Sequence, residues 1–273
     1  LYNPLMLISI LVTSYNYDKY IKNAIDSIKN QTFEDWELII VDDASEDRSV
    51  EIITKATDSY GRVRTIVNDQ NMGLEATLEK AFKYASGKWI AILESDDEWT
   101  PDYLEEKIKV ILKNPDAAVI FNDVETIGNV GKMAGLLYAN RKFLRSKKYP
   151  RNMFWDMNLK NRIVTFSSVM IRRDLLEKVN WNTPSDRLLD WWLYIQIAYK
   201  NKFYYIDKKL TKWRIHSDSY INQKSSANCI MTNVLAMIEV YRRKPSFGLL
   251  LFILYTIPAF ILTKLMRKLF SQD

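Results

Sequence analysis

Two short apolar runs end in paired aspartates: residues 38–43 read Leu-Ile-Ile-Val-Asp-Asp, and residues 89–97 read Trp-Ile-Ala-Ile-Leu-Glu-Ser-Asp-Asp. Short runs rich in branched aliphatic side chains are typical of strands buried on both faces of a parallel sheet. Ligands of open α/β sheets bind in the crevice outside the carboxyl ends of the strands. Acidic side chains gathered there repel one another unless a cation or hydrogen-bond donors hold them. The pattern predicts a divalent-metal and nucleotide site; the competing interpretation is that the aspartates cap helices and form turns.

The first 125 residues alternate strand-like and helix-like segments. Apolar spacing predicts helices between the strands, and Gly87 is predicted to end the third of them. The predicted strands are Leu7–Thr13, Leu38–Val41, Val63–Val67, Trp89–Leu93 and Ala118–Phe121. This β-α repeat of about 25 to 30 residues predicts an α/β fold with a doubly wound, mainly parallel sheet.

The alternation fades after Glu125. Residues 126–162 are basic and aromatic with weak periodicity, which predicts a substrate-facing excursion from the sheet. A helix is predicted over Leu189–Tyr199, followed by two short strands at Phe203–Ile206 and Lys212–Ile215. Residues 126–162 are therefore expected to lie outside the layers of the sheet.

Composition limits the kinds of site that the chain can build. It contains one cysteine and one histidine, which excludes a thiolate cluster or a multi-histidine metal centre. A metal held by carboxylates and phosphates would be Mg²⁺ or Mn²⁺. The net charge of +6 is modest, and no nucleic-acid-binding motif accompanies it, so nucleic acid is not expected as a partner.

Three segments resemble a known family: residues 12–16 (Val-Thr-Ser-Tyr-Asn), residues 31–45 (Gln-Thr-Phe-Glu-Asp-Trp-Glu-Leu-Ile-Ile-Val-Asp-Asp-Ala-Ser) and residues 85–97 (Ala-Ser-Gly-Lys-Trp-Ile-Ala-Ile-Leu-Glu-Ser-Asp-Asp). In order and spacing they are similar to bacterial family 2 glycosyltransferases with the glycosyltransferase A fold. The resemblance implies an inverting enzyme of cell-surface polysaccharide or glycolipid synthesis. It would transfer a sugar from a nucleotide donor, most often UDP, to a glycan or lipid-linked acceptor.

The same resemblance implies how the chain is divided and which residues bind the donor. It places a nucleotide-sugar-binding half in residues 1–125 and an acceptor-binding and catalytic half of the same domain in 126–222. Beyond the resemblance, residues 223–273 are predicted to form C-terminal helices that associate with a membrane. Thr13 and Tyr15 would line the nucleobase pocket, and Asp43 would hold the base or the ribose.

The resemblance further implies a metal site. Ser95-Asp96-Asp97 is similar to the family's Asp-x-Asp motif, with Asp97 favoured as the direct metal ligand and Asp96 contacting the ribose or the metal. Residues 213–219 resemble a Tyr-Arg-x-His-x-x-Ser element. Arg214 would offset diphosphate charge, and His216 would either ligate the metal or order a loop.

A general base is expected from the second half. Asp190 lies where the family places an acidic residue at a helix start that faces the acceptor. A carboxylate there can accept the proton of the acceptor hydroxyl as that oxygen attacks the anomeric carbon. Asp186 is the fallback candidate, and the alternative for Asp190 is a plain N-cap.

One departure and two other functions stay open at the level of sequence. Relatives usually carry an arginine after Asn71-x-Gly73, whereas Leu78 occupies that place here; donor recognition is non-standard unless Arg62, Arg64 or Lys80 compensates.

The chain could also be a non-catalytic nucleotide-sugar-binding protein of this fold. A sugar-nucleotidyltransferase is the third reading, although residues 1–35 lack the glycine and arginine of its usual loop.

The C-terminal segment predicts a contact with the membrane surface. Residues 247–262 are almost wholly apolar and basic residues flank them, but the run is short for a span and Pro258 interrupts it. An interfacial helix on anionic headgroups, at the cytoplasmic face of the cell membrane, fits this pattern better. The alternative is a helix that packs on the catalytic domain or forms a homo-oligomer contact.

Overall fold

The computed structural model describes residues 7–58, 60–128, 133–183, 188–216, 227–243 and 245–254. Its strands are β1 (Ile8–Ser14), β2 (Trp36–Asp42), β3 (Val63–Val67), β4 (Trp89–Glu94), β5 (Glu98–Trp99), β6 (Ala117–Gly128), β7 (Arg151–Asn152), β8 (Val169–Arg172) and β9 (Lys202–Ile215). Its helices are α1 (Ile21–Lys29), α2 (Ser49–Thr57), α3 (Leu74–Tyr84), α4 (Tyr103–Lys113), α5 (Met133–Arg145), α6 (Phe154–Leu159), α7 (Arg173–Leu176), α8 (Leu189–Ala198), α9 (Ala227–Arg243) and α10 (residues 247–254).

One sheet contains these strands in the order β3-β2-β1-β4-β8-β6-β9-β5, with β7 paired to β9. The strands β3, β2, β1 and β4 are parallel, as the sequence predicts. Beyond β4 the sheet is mixed, because β8 runs antiparallel to both β4 and β6. The predicted α/β fold is confirmed, with the parallel strands β3, β2, β1 and β4 in one half of a mixed sheet and a second parallel pair, β6 and β9, in the other.

Helices cover both faces of this sheet. On one face, α1 buries Ile21, Ile25 and Ile28 in a cluster shared with α4. Each fully buried isoleucine contributes about 1.5–3 kcal/mol through the hydrophobic effect. On the other face, α3, α6, α8 and α9 pack in a second cluster. Of the parallel strands, β1, β2 and β4 are buried from both sides, which explains their continuous apolar sequence, whereas β3 is an edge strand without a buried residue.

Several local predictions are wrong in instructive ways. Gly87 does not end α3, whose C-cap is Ala85. A β-carbon at Gly87 would lie 2.6 Å from the Leu7 carbonyl oxygen and 2.6 Å from the Ser9 nitrogen, so glycine is required there for close backbone approach. The two predicted strands after residue 202 are one strand, β9, which pairs with β6 over most of its length.

The region beyond residue 125 contains more regular structure than predicted. The strand β6 continues to Gly128, and the supposed excursion contains α5, β7 and α6. The division at residues 125 and 222 stays a prediction. Of the C-terminal helices, α9 buries Val234, Ala236 and Met237 in the core, and α10 buries Leu249 and Ile253 there.

The predicted membrane segment is therefore half described. Its first part, α10, packs one face on the main core, and residues 255–273 lie outside the described residues. No helix in the described part of the chain is long and apolar enough to cross a bilayer.

Candidate active site

The carboxyl ends of β1, β2 and β4 lie side by side. In the pairing register Thr13 is opposite Glu94 of β4, and Ser14 is opposite Asp42 of β2. The strand order changes direction at β1: β2 and β3 lie on one side of β1, and β4 lies on the other side. Open α/β sheets bind their ligands at such a point. The loops that follow these strands form the candidate site.

The loop after β1 is held by the loop after β2. The backbone N–H of Asn16 donates to Ser45 Oγ at 2.9 Å, and Asn16 Oδ1 accepts from the Glu46 N–H at 2.8 Å. Asn16 and Ala44 both have positive φ, of 57° and 61°, a conformation that costs free energy for a residue with a side chain. Ser45 also binds the Asp42 carboxylate, so it does not cap α2, which has Arg48 at its N-cap.

Asp43 organises a second loop. It is buried, and its carboxylate accepts hydrogen bonds from Asn68 Nδ2 at 2.7 Å and from the N–H groups of Met72 and Gly73 at 2.8 Å. Asn68 in turn accepts from Lys80 Nζ at 2.6 Å. The first aspartate pair therefore supports loops, and contact of Asp43 with a base or ribose stays a prediction.

Three basic residues could replace the arginine that relatives carry where this chain has Leu78, and their contacts differ. Leu78 is buried in the core, so it offers no polar group to a donor. Arg62 lies over the Trp36 ring, and Arg64 lies over the Tyr84 ring. Lys80 is the one of the three that the structure links to Asp43, through Asn68.

Asp96 and His216 form a pair that opens to the site. Asp96 Oδ2 lies 3.1 Å from His216 Nε2, and both side chains are partly accessible. The ring of His216 also packs against Tyr17 and Tyr20, with centroids 6.0 and 5.0 Å away. The structure thus brings together two residues that are 120 positions apart in the sequence.

Asp97 and Arg214 hold the acidic loop in place. Asp97 is buried, and its carboxylate accepts from the Arg214 N–H at 2.8 Å and contacts Thr165 Oγ1 at 3.1 Å. The Arg214 guanidinium donates to the Asp96 carbonyl and to Glu98 Oε1, at 2.8 and 2.6 Å. These contacts tie β9 to the turn after β4.

Glu94 and Thr165 are site residues that the sequence analysis did not assign. Thr165 Oγ1 donates to Glu94 Oε2 at 2.5 Å and lies beside Asp97 as well. Burial, followed by the charges of Asp96 and Asp190, raises the pKa of Glu94 to about 8. The position of Glu94 at the end of β4 was a usable signal, whereas Thr165 lies in an apolar stretch without a motif.

Asp190 faces the same acidic group. It lies in the first turn of α8, whose N-cap is Leu188, so the N-cap alternative for Asp190 is wrong. Its Oδ2 accepts from Asn161 Nδ2 at 2.9 Å. Burial raises the pKa of Asp190 from 3.8 to about 6, which outweighs the stabilisation of its charge by Asn161 and the Trp191 N–H. The fallback, Asp186, lies outside the described residues.

Proton affinity is raised throughout this cluster. Burial raises the pKa of Asp96, and burial together with the charges of Asp96 and Glu94 raises that of Asp97 well above its usual range. Close carboxyl groups cannot all ionise cheaply unless a positive charge joins them.

Thr13 is half-buried at the end of β1, and Tyr15 is exposed two residues later. Thr13 lies opposite Glu94 in the sheet, and the contact of Thr13 and Tyr15 with a nucleobase stays a prediction.

Comparison with known proteins identifies the family. Residues 9–179 match the model described as Glycosyl transferase family 2, and the chain belongs to this family. It is 32% identical over 221 residues to the uncharacterized glycosyltransferase MJ1057 of Methanocaldococcus jannaschii, covering 80% of this chain and 74% of the relative. It is 30% identical over 223 residues to WfgD of Escherichia coli, covering 80% and 81%. WfgD is described as a UDP-Glc:alpha-D-GlcNAc-diphosphoundecaprenol beta-1,3-glucosyltransferase.

Solved structures show the same fold. TarS of S. aureus, residues 1–349 in complex with UDP-GlcNAc, aligns with a TM-score of 0.66 at 18% identity, covering 86% of this chain and 67% of that one. The mannosyltransferase PcManGT of Pyrobaculum calidifontis, in complex with GDP-Man and Mn²⁺, aligns with a TM-score of 0.59 at 14% identity, covering 99% and 90%. The resemblance to the glycosyltransferase A fold is confirmed.

Proposed function

We propose that this protein is an inverting, metal-dependent glycosyltransferase that uses Asp190 as its general base. The observation that carries the proposal is the position of Asp190, which is held by Asn161 and lies close enough to Glu94 at the end of β4 for its charge to raise the pKa of Glu94. A base with a pKa near 6 is largely ionised at neutral pH and still binds a proton readily.

The metal site is proposed at Asp96 and His216. Asp96 Oδ2 and His216 Nε2 already lie 3.1 Å apart and partly open, whereas the oxygens of Asp97 contact Arg214 and Thr165. We therefore favour Asp96 over Asp97 as the direct ligand. In the described part of the chain no group of three or more metal-binding side chains is preformed. Two protein ligands suit Mg²⁺ or Mn²⁺ when phosphate oxygens and water supply the rest.

The chemistry follows from the separation of roles. A bound divalent cation would neutralise the charge that develops on the diphosphate leaving group. Asp190 accepts the proton of the acceptor hydroxyl while its oxygen bonds to the anomeric carbon and the bond to the nucleotide diphosphate breaks. Asn161 and the Trp191 N–H orient the Asp190 carboxylate for this transfer. One displacement inverts the anomeric configuration.

The substrates are proposed from the relatives. The name of WfgD specifies UDP-glucose, a diphosphoundecaprenol acceptor and a β linkage. TuaG of Bacillus subtilis, 28% identical over 224 residues, is described as a putative teichuronic acid biosynthesis glycosyltransferase. We propose a UDP-sugar as donor and a hydroxyl of a glycan or lipid-linked acceptor as nucleophile, in cell-surface polysaccharide synthesis.

Nucleotide release from a panel of sugar nucleotides is the experiment that tests this function. We expect Mn²⁺-dependent release of UDP from one UDP-sugar, because that donor binds at the metal site and loses its sugar to water or an acceptor. EDTA should abolish the release. Binding of a sugar nucleotide without release of UDP would indicate the non-catalytic alternative. Release of diphosphate when the protein is supplied with a sugar phosphate and UTP would indicate a nucleotidyltransferase.

A further inference from the structure

Helices α6 and α10 contact each other, and both expose large apolar side chains. On α6, Trp155 and Leu159 are separated by one helical turn, and on α10 the exposed residues recur at helical spacing. The two helices meet where the rings of Trp155 and Phe252 pack at 4.6 Å. We call this surface the apolar face, and its exposed members are Trp155 (50% exposed), Leu159 (78%), Phe247 (76%), Leu251 (51%) and Leu254 (56%).

The helices themselves are firmly anchored behind this face. α6 buries Phe154 and Met157, and α10 buries Leu249 and Ile253, all in the main core. Exposure of the opposite side is therefore a property of the folded protein. Large exposed apolar patches mark sites of interaction with proteins, membranes or ligands.

Basic residues border the apolar face. Lys160 follows Leu159 directly and is exposed, and Arg242 is exposed at the end of α9, shortly before α10. Lys200 is exposed and lies over the Tyr199 ring, which packs against Phe154. An apolar centre with a basic border matches an anionic lipid surface, where apolar side chains enter the acyl boundary and cations bind headgroups.

The face is mechanically linked to the proposed base. Asn161, two residues after Leu159, donates to Asp190 Oδ2 at 2.9 Å. The Met157 carbonyl of α6 accepts from Trp191 Nε1 at 2.7 Å, beside Asp190. One helix thus exposes apolar side chains outward and fixes the acceptor side of the candidate active site inward.

We propose that the apolar face docks on an anionic bilayer, with α6 and α10 inserting together at the headgroup level. The sequence beyond Leu254 remains apolar to Leu262 and then carries Lys264, Arg267 and Lys268, which extends the same chemistry. Docking would hold Asp190 close to an acceptor that emerges from the bilayer. This last consequence rests on the proposed function, whereas bilayer binding does not.

Vesicle flotation of the full chain tests the proposal. We expect binding to vesicles of phosphatidylcholine with phosphatidylglycerol, and much weaker binding to phosphatidylcholine alone or at high salt. Leu159→Ser and Leu251→Ser should each weaken binding to the anionic vesicles about tenfold, since each removes one inserted leucine. Leu112→Ser is the matched control, because Leu112 is 68% exposed on α4 and outside the apolar face.

Three results would overturn the proposal. Unchanged binding by Leu159→Ser would mean that residues after 254 make the membrane contact without α6. Equal binding to neutral and anionic vesicles would remove the role of the basic border. Absence of vesicle binding, with a dimer in analytical ultracentrifugation that Leu159→Ser dissociates, would assign the face to a second copy of the chain. UDP release into water by the same variants reports on the proposed function separately.

Discussion

Asp190→Asn is expected to reduce sugar transfer about 10²- to 10⁴-fold, the usual cost of removing a positioned general base. Asparagine has the same shape as aspartate and can still accept the hydrogen bond from Asn161. It cannot accept a proton from the acceptor hydroxyl. Metal-dependent binding of the donor should remain near the wild-type value, because Asp190 has no part in the proposed metal site. Initial rates with acceptor, and donor titration by calorimetry, measure the two quantities.

The pH profile gives this prediction a second readout. The base is active when ionised, so kcat/KM for the acceptor should fall as pH drops through the Asp190 pKa of about 6. The fall should approach about tenfold per pH unit, and the residual activity of Asp190→Asn should lack it. Structural damage alone would lower the rate without removing this pH dependence.

Asp116→Asn serves as the matched control for Asp190→Asn. Asp116 is a largely exposed aspartate whose ion pair with Lys202 is solvent-screened, so its variant should transfer sugar normally. Near-normal transfer by Asp190→Asn would place the base elsewhere, and Asp186 would be the next residue to test.

Asp96→Asn is expected to weaken Mn²⁺-dependent donor binding by more than about 100-fold, since even residues that only support a metal ligand cost 10- to 100-fold. The carboxylate 3.1 Å from His216 is the proposed direct ligand, and an amide oxygen carries no charge to offset the cation. His216→Ala should weaken the same binding. Calorimetric titration of UDP with and without Mn²⁺ measures the effect.

Asp97→Asn separates the two assignments of the metal ligand. Asp97 is buried and bonds to the Arg214 N–H, so the variant should have a lower melting temperature than the wild type. Its affinity for Mn²⁺ should stay near the wild-type value. Loss of metal dependence in Asp97→Asn, with Asp96→Asn unaffected, would restore Asp97 as the ligand. The melting temperature and the Mn²⁺ dependence of UDP binding are the two measurements.

The strands β1, β2 and β4 are predictable because burial on both faces leaves a continuous apolar run. β3 is predicted to the residue, and β1, β2 and β4 to within two. β9 appears as two strands in the sequence because Asp207, Lys208 and Lys209 interrupt its apolar pattern. These three residues are exposed, and the pairing with β6 shifts register nearby. α5 is missed because most of its described side chains face solvent, with Asn140 and Leu144 buried.

The residues of the candidate site are likewise predictable only in part. Strand ends predict where acidic residues gather: Asp96 does meet His216, and Glu94 lies near Asp190. The pair after β2 looks similar in sequence, yet Asp42 bonds to Ser45 three residues later, as a turn former does, and Asp43 bonds to Asn68, which no local pattern identifies. Long-range partners such as Asn68 and Thr165 depend on how loops pack, and single side chains of this kind leave no periodic signal.

The anomeric configuration of the product tests the central claim most directly. The protein should be incubated with a UDP-α-sugar, Mn²⁺ and an acceptor, and the three-bond coupling of the new anomeric proton should be measured by NMR. A single displacement with Asp190 as base predicts the large coupling of a β-linked glucose-type sugar. A small coupling, indicating retained α configuration, would contradict the inverting mechanism and the role of Asp190 in it.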